Sequence, residues 1–322
     1  MGRLRWSAPR REDDADWAAL LAAIEAADQR GEIYEVADLA DEWASVWAHP
    51  ETDSVFVWDR HELVAFGWLK TQVGQAKEHR IACWGGVRPS RRGQGIGRAL
   101  LDWQLERASA IAHDLDPALA THVNLDVLDG QPALRALADR AGFEPTRRFL
   151  DVVRPTSLEL APAVAPEGLT LTQWSRDLDE AARAAHADSF RDHWGSEPRT
   201  EEEWRQWYTG HRHFRPDLST LVVEPSTGEV VSFVLCAAYP QDWETTPVEA
   251  WIHSVGTRPA WRGRRAARAA LTEALARIAA SDTGFEGAIL GVDAANPTGA
   301  LELYRSLGFA DRRAVTVMSR TP

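Results

Sequence analysis

A motif that occurs twice in the chain, 170 residues apart, limits the possible folds more than any other feature of the sequence. Residues 87–101 read VRPSRRGQGIGRALL, and residues 257–271 read TRPAWRGRRAARAAL. Two further pairs of segments keep nearly the same spacing: 62–66 with 229–233, and 141–143 with 307–309. Matches that keep both order and spacing indicate a duplicated unit, and the period is too long for a solenoid repeat.

Two copies of a whole domain therefore account for the 322 residues of the chain. A chain of this length is ordinarily divided into domains of about 100–200 residues. Between the copies, Pro155, Pro162 and Pro166 lie in a stretch without hydrophobic periodicity, which is typical of a linker. We predict an N-terminal domain at residues 1–154, a linker at 155–167 and a C-terminal domain at 168–322.

Both copies show the same order of predicted elements. Each opens with an amphipathic helix, continues with three β-rich runs, and then has a helix, a strand, a helix and a last strand. The opening helices are predicted at residues 13–27 and 178–192, and the strands before the motif at 80–87 and 248–257. The pattern predicts the α+β class, with a mostly antiparallel mixed sheet flanked by helices in each domain and one strand-turn-helix crossover.

Charge and cysteine content exclude several classes of partner. The chain has 36 Lys and Arg against 48 Asp and Glu, and this net charge of −12 disfavours binding to nucleic acid or to anionic membranes. No segment approaches the roughly 18 continuous apolar residues of a membrane-spanning helix. Cys83 and Cys236 both lie in apolar runs, so we expect no disulfide, a reducing compartment and hence a cytoplasmic protein.

The repeated motif places a turn between a strand and a helix. In the first copy, Arg92, Gly95 and Gly97 follow the strand and open the helix. Such a turn directs unpaired backbone N–H groups and the positive end of the helix dipole to one point, where an anion is stabilised. Because glycine lets a phosphate approach closely, the turn predicts a pyrophosphate site. A tight corner without a ligand is the alternative for so short a motif.

Both loops resemble the acetyl-CoA pyrophosphate loop of the GNAT superfamily of acyl-CoA N-acyltransferases. The residues that carry the resemblance are Arg92, Gly93, Gly95 and Gly97 in the first copy, and Arg262, Gly263, Arg265 and Ala267 in the second. Residues 296–309 resemble the closing motif of the same superfamily, so that two tandem domains cover nearly the whole chain. The resemblance implies acetyl-CoA as co-substrate. It also implies that the pantetheine arm lies in a gap between strands and bonds to the strand backbone, around Val87 in the first copy or at Val255 and Thr257 in the second.

The two copies depart from the superfamily pattern in opposite ways. The first keeps Gly95 but has Ala138 where the superfamily's tyrosine falls. The second has Asn296 and Tyr304 but carries Arg265 in place of the first loop glycine. The Cβ of Arg265 would crowd the phosphate, or its guanidinium would add a charge-assisted contact to it, and the sequence leaves both readings open. The loop that keeps its glycines therefore lies in the N-terminal domain, whereas the helix that carries the tyrosine lies in the C-terminal domain.

Tyr304 is the general acid that the resemblance implies. A phenol with an ordinary pKa of about 10 can protonate the thiolate that leaves when an amine attacks a thioester. Packing between Leu301 and Leu307 is its structural alternative. Asn296 is predicted to be a helix N-cap, with Pro297 at the first helical position, and the resemblance adds a contact with the pantetheine arm.

The strand before the second loop is expected to carry the general base. Strict alternation places Glu249, Trp251 and His253 on one face of that strand. His253 is the first candidate because its ordinary pKa is about 6.5, and Glu249 is the second. A hydrogen-bonded structural role is the alternative for His253. The superfamily often has glutamate where Trp251 stands. In the first copy the matching face carries His79 and Cys83, a poorer set.

These patterns predict an N-acetyltransferase that moves an acetyl group from acetyl-CoA to the amine of a small molecule by direct attack, with catalysis in the C-terminal domain. Catalysis in the N-terminal domain and a non-catalytic acyl-CoA-binding or regulatory protein are the alternatives. His211 and His213 have a metal-like spacing, but no third ligand is suggested, so we expect no metal. We expect no nucleic-acid or membrane partner, and either a monomer or a homodimer.

Overall fold

The chain folds into two units, each built around a mixed sheet. The computed structural model describes residues 4–74, 77–191, 193–194, 196, 198–296 and 298–322. We call Met1–Arg148 together with Val315–Pro322 unit 1, and Phe149–Ala314 unit 2. Each unit has helices of its own and a hydrophobic core of its own.

The elements in the first half of the chain follow the predicted order, with strand β1 and the short helices α2 and α3 as unpredicted additions. They are β1 (Arg5–Ser7), α1 (Asp14–Asp28), α2 (Val36–Trp43), α3 (Pro50–Asp53), β2 (Ser54–Asp59), β3 (Glu62–Gln72), β4 (Glu78–Val87), α4 (Ile96–Asp114), β5 (Ala120–Leu128), α5 (Pro132–Arg140) and β6 (Glu144–Pro155). Helix α1 forms where predicted because Trp17, Leu21 and Ile24 recur at helical spacing and are buried on one face.

The second half repeats this order, with strand β7 and the short helix α7 as its unpredicted additions. Its elements are β7 (Thr170–Gln173), α6 (Asp179–Ser189), α7 (Glu201–Trp204), β8 (Thr220–Glu224), β9 (Glu229–Ala238), β10 (Glu249–Thr257), α8 (Ala266–Ala279), β11 (Gly287–Asp293), α9 (Ala300–Ser306) and β12 (Ala310–Arg320). A π-helical turn at Arg205–Thr209 follows α7 directly.

The strand order is equivalent in the two units. It is β1-β2-β3-β4-β5-β12 in unit 1 and β6-β11-β10-β9-β8-β7 in unit 2. The pairs β4/β5 and β10/β11, joined by the crossover helices α4 and α8, are parallel. The other pairs within each unit are antiparallel. This topology confirms the predicted α+β class with a mostly antiparallel mixed sheet in each copy.

Each half of the sequence supplies the last strand of the other half's sheet. Val315–Arg320 of β12 pairs with β5 in unit 1, and Phe149–Pro155 of β6 pairs with β11 in unit 2. Met318 is accordingly buried in the core of unit 1, and Val152 in the core of unit 2. The compact units therefore differ from a simple cut at residues 155–167, and the domain boundaries read from the repeat stay a prediction.

Both cysteines are free and buried. Burial raises the pKa of both thiols, that of Cys83 to about 12. Across the described ranges, we find no helix with the length and apolar character that a bilayer crossing requires.

The strand exchange predicts that the far C-terminus stabilises unit 1. Met318→Ala is expected to lower the free energy of unfolding by about 2–5 kcal/mol, because it leaves a cavity among buried residues of unit 1. Denaturant titration of the full chain measures the change. Val73→Ala is the control, since Val73 is 56% exposed in the same unit. Equal, small losses for both variants would contradict the exchanged arrangement.

Candidate active site

The two repeated loops follow the same backbone path. In unit 1, Gly93 and Gly95 have φ values of +74° and +84°, and α4 begins directly after Gly95. In unit 2, Gly263 and Arg265 have φ values of +76° and +64°, and α8 begins directly after Arg265. Arg265 thus holds a left-handed conformation that glycine adopts at lower cost. In both units the first-turn N–H groups lack helical partners, which is the geometry of an anion site.

In each unit, the first arginine of the loop connects the loop to the opening helix of that unit through hydrogen bonds. Arg92 donates to the Val87 carbonyl (3.1 Å) and forms a bidentate ion pair with Asp28, with N–O distances of 2.6 and 2.8 Å. Arg262 likewise donates to the carbonyls of Thr257 (3.3 Å) and Ser189 (3.0 Å). These guanidinium groups position the loop and leave the backbone N–H groups of the helix start available to an anion.

A gap opens in the sheet of unit 2 where two parallel strands diverge. Strand β10 pairs with β11 only from Glu249 to Trp251, opposite Gly287–Ile289. Beyond that point a cavity of about 790 Å³ is lined by residues of both strands, of the loop and of α9. Its lining includes the predicted residues His253, Val255, Thr257, Arg262, Gly263, Arg265, Ala267, Asn296 and Tyr304.

Backbone groups of β10 face this gap. The Arg258 N–H donates to the Val231 carbonyl at 2.9 Å, and hydrogen-bonded and non-hydrogen-bonded positions alternate along an antiparallel pair. The alternation turns the main-chain groups of Thr257 and Val255, which stand opposite Ser232 and Val234, away from β9 and towards the gap. An extended ligand with amide groups can pair with these positions as a further strand would.

Tyr304 reaches the cavity from helix α9. Its side chain is 7% exposed, its ring lies edge-on to Phe309 with 5.9 Å between centroids, and burial raises its pKa to about 12. No residue in the described part of the chain hydrogen-bonds to its hydroxyl. The phenol therefore stays protonated at neutral pH and keeps its proton available to a ligand.

His253 reaches the cavity because of a β-bulge. The register between β10 and β9 shifts between Ile252 and Ser254, so His253 is the extra residue and the alternation expected from the sequence is interrupted there. Its ring is open to the cavity and lies 5.4 Å from the Tyr208 ring. The surrounding protein removes much of its hydration and, with a smaller contribution from His211, lowers its pKa to about 4. The imidazole is therefore uncharged at neutral pH.

Glu249 lies outside the cavity lining. It is 7% exposed, and both of its carboxylate oxygens accept hydrogen bonds from Arg312 at 2.5 Å. This ion pair joins β12 to β10, and the role of Glu249 as a general base stays a prediction.

Asn296 lines the cavity but does not cap helix α9. Its Oδ1 accepts hydrogen bonds from the backbone N–H (2.8 Å) and hydroxyl (2.6 Å) of Thr298, and the N-cap is Gly299. The predicted N-cap role was therefore wrong, because the turn around Thr298 delays the start of the helix. Pro297, predicted at the first helical position, lies outside the described residues.

The corresponding strands of unit 1 diverge as well, but side chains of unit 1 pack beside them. Strands β4 and β5 pair from Glu78 to Ala82 opposite Ala120–Asn124. Trp84 on β4 packs against Tyr34 at 5.4 Å, and its carbonyl accepts a hydrogen bond from the Gln104 side chain at 3.0 Å. The 170-residue repeat places Ala274 where unit 1 has Gln104.

Two positions of unit 1 that correspond to candidate site residues of unit 2 are buried in the core of unit 1. Ala138, at the position matching Tyr304, is completely buried. His79 is 1% exposed and is hydrogen-bonded to the Gly74 N–H and the Asp116 carbonyl.

Several residues that line the unit 2 cavity were not indicated by any sequence pattern. Tyr208 is presented by the π-helical turn, and its hydroxyl lies 3.0 Å from His186 Nε2. Phe149 lines the cavity because the part of strand β6 from Phe149 onward belongs to unit 2, and Phe190 and His193 follow helix α6. Within the described part of the chain, no group of three or more His, Cys, Asp or Glu side chains could hold a metal ion.

The chain matches a family model and several known proteins. The Acetyltransferase (GNAT) family matches residues 17–143 and 180–309. A mycothiol acetyltransferase of Thermobispora bispora is 28% identical over 272 residues, which cover 83% of this chain and 82% of that protein.

Two solved structures share the fold. A GCN5-related N-acetyltransferase from Sphaerobacter thermophilus has a TM-score of 0.74 at 24% identity and covers 99% of this chain and 95% of its own. A tandem GNAT protein from the clavulanic acid biosynthesis pathway has a TM-score of 0.71 at 16% identity, with 99% and 98% covered. The duplicated loop, the diverging strands and the two family matches lead to one conclusion: the chain is a tandem member of the GNAT acetyltransferase family and an acetyl-CoA-dependent acyltransferase.

Proposed function

We propose that unit 2 transfers the acetyl group of acetyl-CoA to the amine of a small molecule. The observation that carries this proposal is the 790 Å³ cavity, which combines an anion-binding helix start, main-chain groups facing a gap, and a protonated phenol. Family membership supports acetyl-CoA as the acyl donor. The names of the curated relatives support acetyl transfer, and we extend the proposal to an amine acceptor without naming the molecule.

The residues of unit 2 fit an extended acyl-CoA. The loop N–H groups from Gly263 to Ala267 would hold the diphosphate, and Arg265 adds a positive charge beside it. The main chain at Val255 and Thr257 would pair with the amides of the pantetheine arm. This path leads from the helix start along β10 towards His253 and Tyr304, which line the same cavity.

The chemistry needs one proton donor and one proton acceptor. Acetyl-CoA supplies the thioester whose carbonyl carbon is attacked. As the amine nitrogen forms its bond to that carbon, the carbon–sulfur bond breaks and Tyr304 donates its hydroxyl proton to the leaving sulfur. The nitrogen releases its surplus proton to the uncharged His253 or to water. Since the pKa of Tyr304 is about 12, loss of its proton is not expected to lower the rate below about pH 10.

The differences between the two units support catalysis in unit 2. Unit 1 has buried Ala138 in place of the phenol, and Gln104 and Trp84 occupy the region beside its diverging strands. The lining of the unit 2 cavity includes the aromatic residues Phe149, Phe190 and Tyr208. An acceptor would meet aromatic walls there.

Removing the phenol tests the proposed acid. Tyr304→Phe is expected to lower kcat about 100-fold or more while the KM for acetyl-CoA changes little, because only proton donation to sulfur is lost. Thiol release from acetyl-CoA with a panel of amines measures the rate.

Tyr239→Phe is the matched control for this experiment. The pKa of Tyr239 is also raised to about 12 by burial, but Tyr239 does not line the cavity. Full activity of Tyr304→Phe would refute Tyr304 as the acid. A chain that binds acetyl-CoA but releases no thiol with any amine would count against the proposed acceptor class.

Equivalent substitutions in the two loops test which unit binds acetyl-CoA. Ala267→Asp is expected to weaken binding at least about tenfold, because a carboxylate beside the helix start repels the diphosphate. Aspartate in a first helical turn favours the helix, so the fold is expected to survive. Isothermal titration calorimetry measures the affinity and the expected stoichiometry of one acetyl-CoA per chain.

Gly97→Asp is the control in unit 1, where an added Cβ would come no closer than 3.7 Å to its neighbours. The proposal predicts unchanged affinity for this variant. Loss of binding in Gly97→Asp with retention in Ala267→Asp would place the acetyl-CoA site in unit 1.

A further inference from the structure

A half-buried histidine that follows helix α6 lines the unit 2 cavity, and the mechanism above does not use it. This residue is His193. Its backbone is fixed on both sides, because its N–H donates to the Phe190 carbonyl at 3.0 Å and its carbonyl accepts from the Ser196 N–H at 3.3 Å. A hydrogen-bonded turn therefore presents the imidazole to the cavity.

The hydrogen bond between the His193 ring and the main chain assigns the proton on that ring. Nδ1 lies 2.8 Å from the carbonyl oxygen of Trp194. Because a carbonyl oxygen can only accept, Nδ1 carries the hydrogen, and in the uncharged ring Nε2 then carries the lone pair. The same carbonyl stabilises the ring after Nε2 has taken up a proton, since Nδ1 stays a donor in the imidazolium. His193 is thus oriented as a proton acceptor.

A series of ring contacts connects His193 with the candidate residue His253. Phe190 packs against His193 and against the buried His186, with ring centroids 5.3 and 4.6 Å apart. Tyr208 packs against His186 at 4.9 Å and against His253 at 5.4 Å. Electrostatics agree with this arrangement. Burial is the main reason that the pKa of His186 falls to about 3, and charge on either His253 or His193 lowers it further.

The reaction needs a group that can hold a proton at neutral pH, and three residues of the cavity are unsuited to this task. The lowered pKa of His253, about 4, makes its imidazolium unfavourable at neutral pH. Tyr304 is the proposed proton donor, and burial raises the pKa of Tyr208, so both phenols stay protonated. A further proton acceptor is therefore required.

Asp293 and His193 are the remaining candidates in the described lining. Asp293 is 6% exposed, and its Oδ1 accepts a hydrogen bond from the Ala295 N–H at 2.9 Å. His193 is partly exposed, so water can stabilise its imidazolium and carry the proton away. Residues 14–48, the stretch of unit 1 that begins with its opening helix, contain no histidine. Exposure and ring orientation therefore favour His193.

We propose that His193 is the general base of unit 2 and that its Nε2 takes the proton that the attacking amine nitrogen releases. The bond between that nitrogen and its hydrogen breaks as the hydrogen bonds to Nε2, and the imidazolium later gives the proton to water. This inference rests on the proposed function of unit 2. It completes the two proton transfers, since Tyr304 gives a proton to sulfur and His193 receives one from nitrogen, while His253 serves as an uncharged hydrogen-bond partner of the amine.

Two substitutions separate the loss of the base from a disturbance of the turn. His193→Asn keeps an amide N–H that can donate to the Trp194 carbonyl but has no basic nitrogen in place of Nε2, whereas His193→Ala removes both groups. Both variants are expected to slow thiol release about 100-fold in single turnovers with enzyme in excess, while the affinity for acetyl-CoA measured by calorimetry stays unchanged. Benzylamine, glycinamide and ethanolamine serve as acceptors, and the fastest of the three is used throughout.

Added imidazole provides a measurement that a purely structural role would not affect. Imidazole is expected to speed His193→Ala at least about tenfold, because the free base can take the proton at the vacated position. His61→Ala is the matched control, since His61 lies exposed in a turn of unit 1. Its rate and its response to imidazole should equal those of the unmodified chain.

Full activity of both His193 variants, or a loss in His193→Ala that imidazole does not restore, would overturn the inference while leaving the proposed function intact. Restoration of His253→Ala by imidazole, without restoration of His193→Ala, would assign the base to His253. An unmodified chain that releases no thiol with any of the three amines would instead count against the proposed function.

Discussion

The divergence of β10 from β11 is the constraint on which the site depends. Main-chain groups at Val255 and Thr257 are turned away from β9 and have no strand beside them, although the Thr257 carbonyl accepts a hydrogen bond from Arg262. Because a buried backbone group without a hydrogen bond is costly, the gap favours a ligand that bonds to the main chain of Val255 and to the N–H of Thr257. The bulge that places His253 in the cavity lies on the same strand, at the point where the divergence begins.

The two copies of the repeat have the same backbone loop, but the side chains beside the loop differ. Both loops have the same positive φ values, and Arg92 and Arg262 fasten them in the same way. Unit 1 adds Gln104 and Trp84 near its gap, while unit 2 has the small Ala274 opposite Gln104 in the repeat. The same backbone loop therefore has different surroundings in the two units, because the side chains beside it differ.

The connection between the copies has two structural consequences. Strands β6 and β12 complete the sheets of units 2 and 1, so neither half of the sequence contains all the strands of its own sheet. The same connection brings Phe149 into the lining of the unit 2 cavity and the linker alongside helix α8. One stretch of chain therefore completes the sheet of unit 2 and also contributes to the lining of its cavity.

The sequence by itself determined the duplication, the α+β class and the two loops, because these depend on local patterns that recur at a constant spacing. The resemblance of these loops and of residues 296–309 to the GNAT superfamily led to Tyr304 and Val255, and both line the cavity. Tertiary structure decided the rest. Strict alternation grouped Glu249 with His253, but a bulge separates them and Arg312, 63 residues away, pairs with Glu249. The exchanged strands and the position of the linker beside α8 likewise depend on contacts between distant segments. A local hydrophobic pattern does not specify which distant segment a strand will pair with.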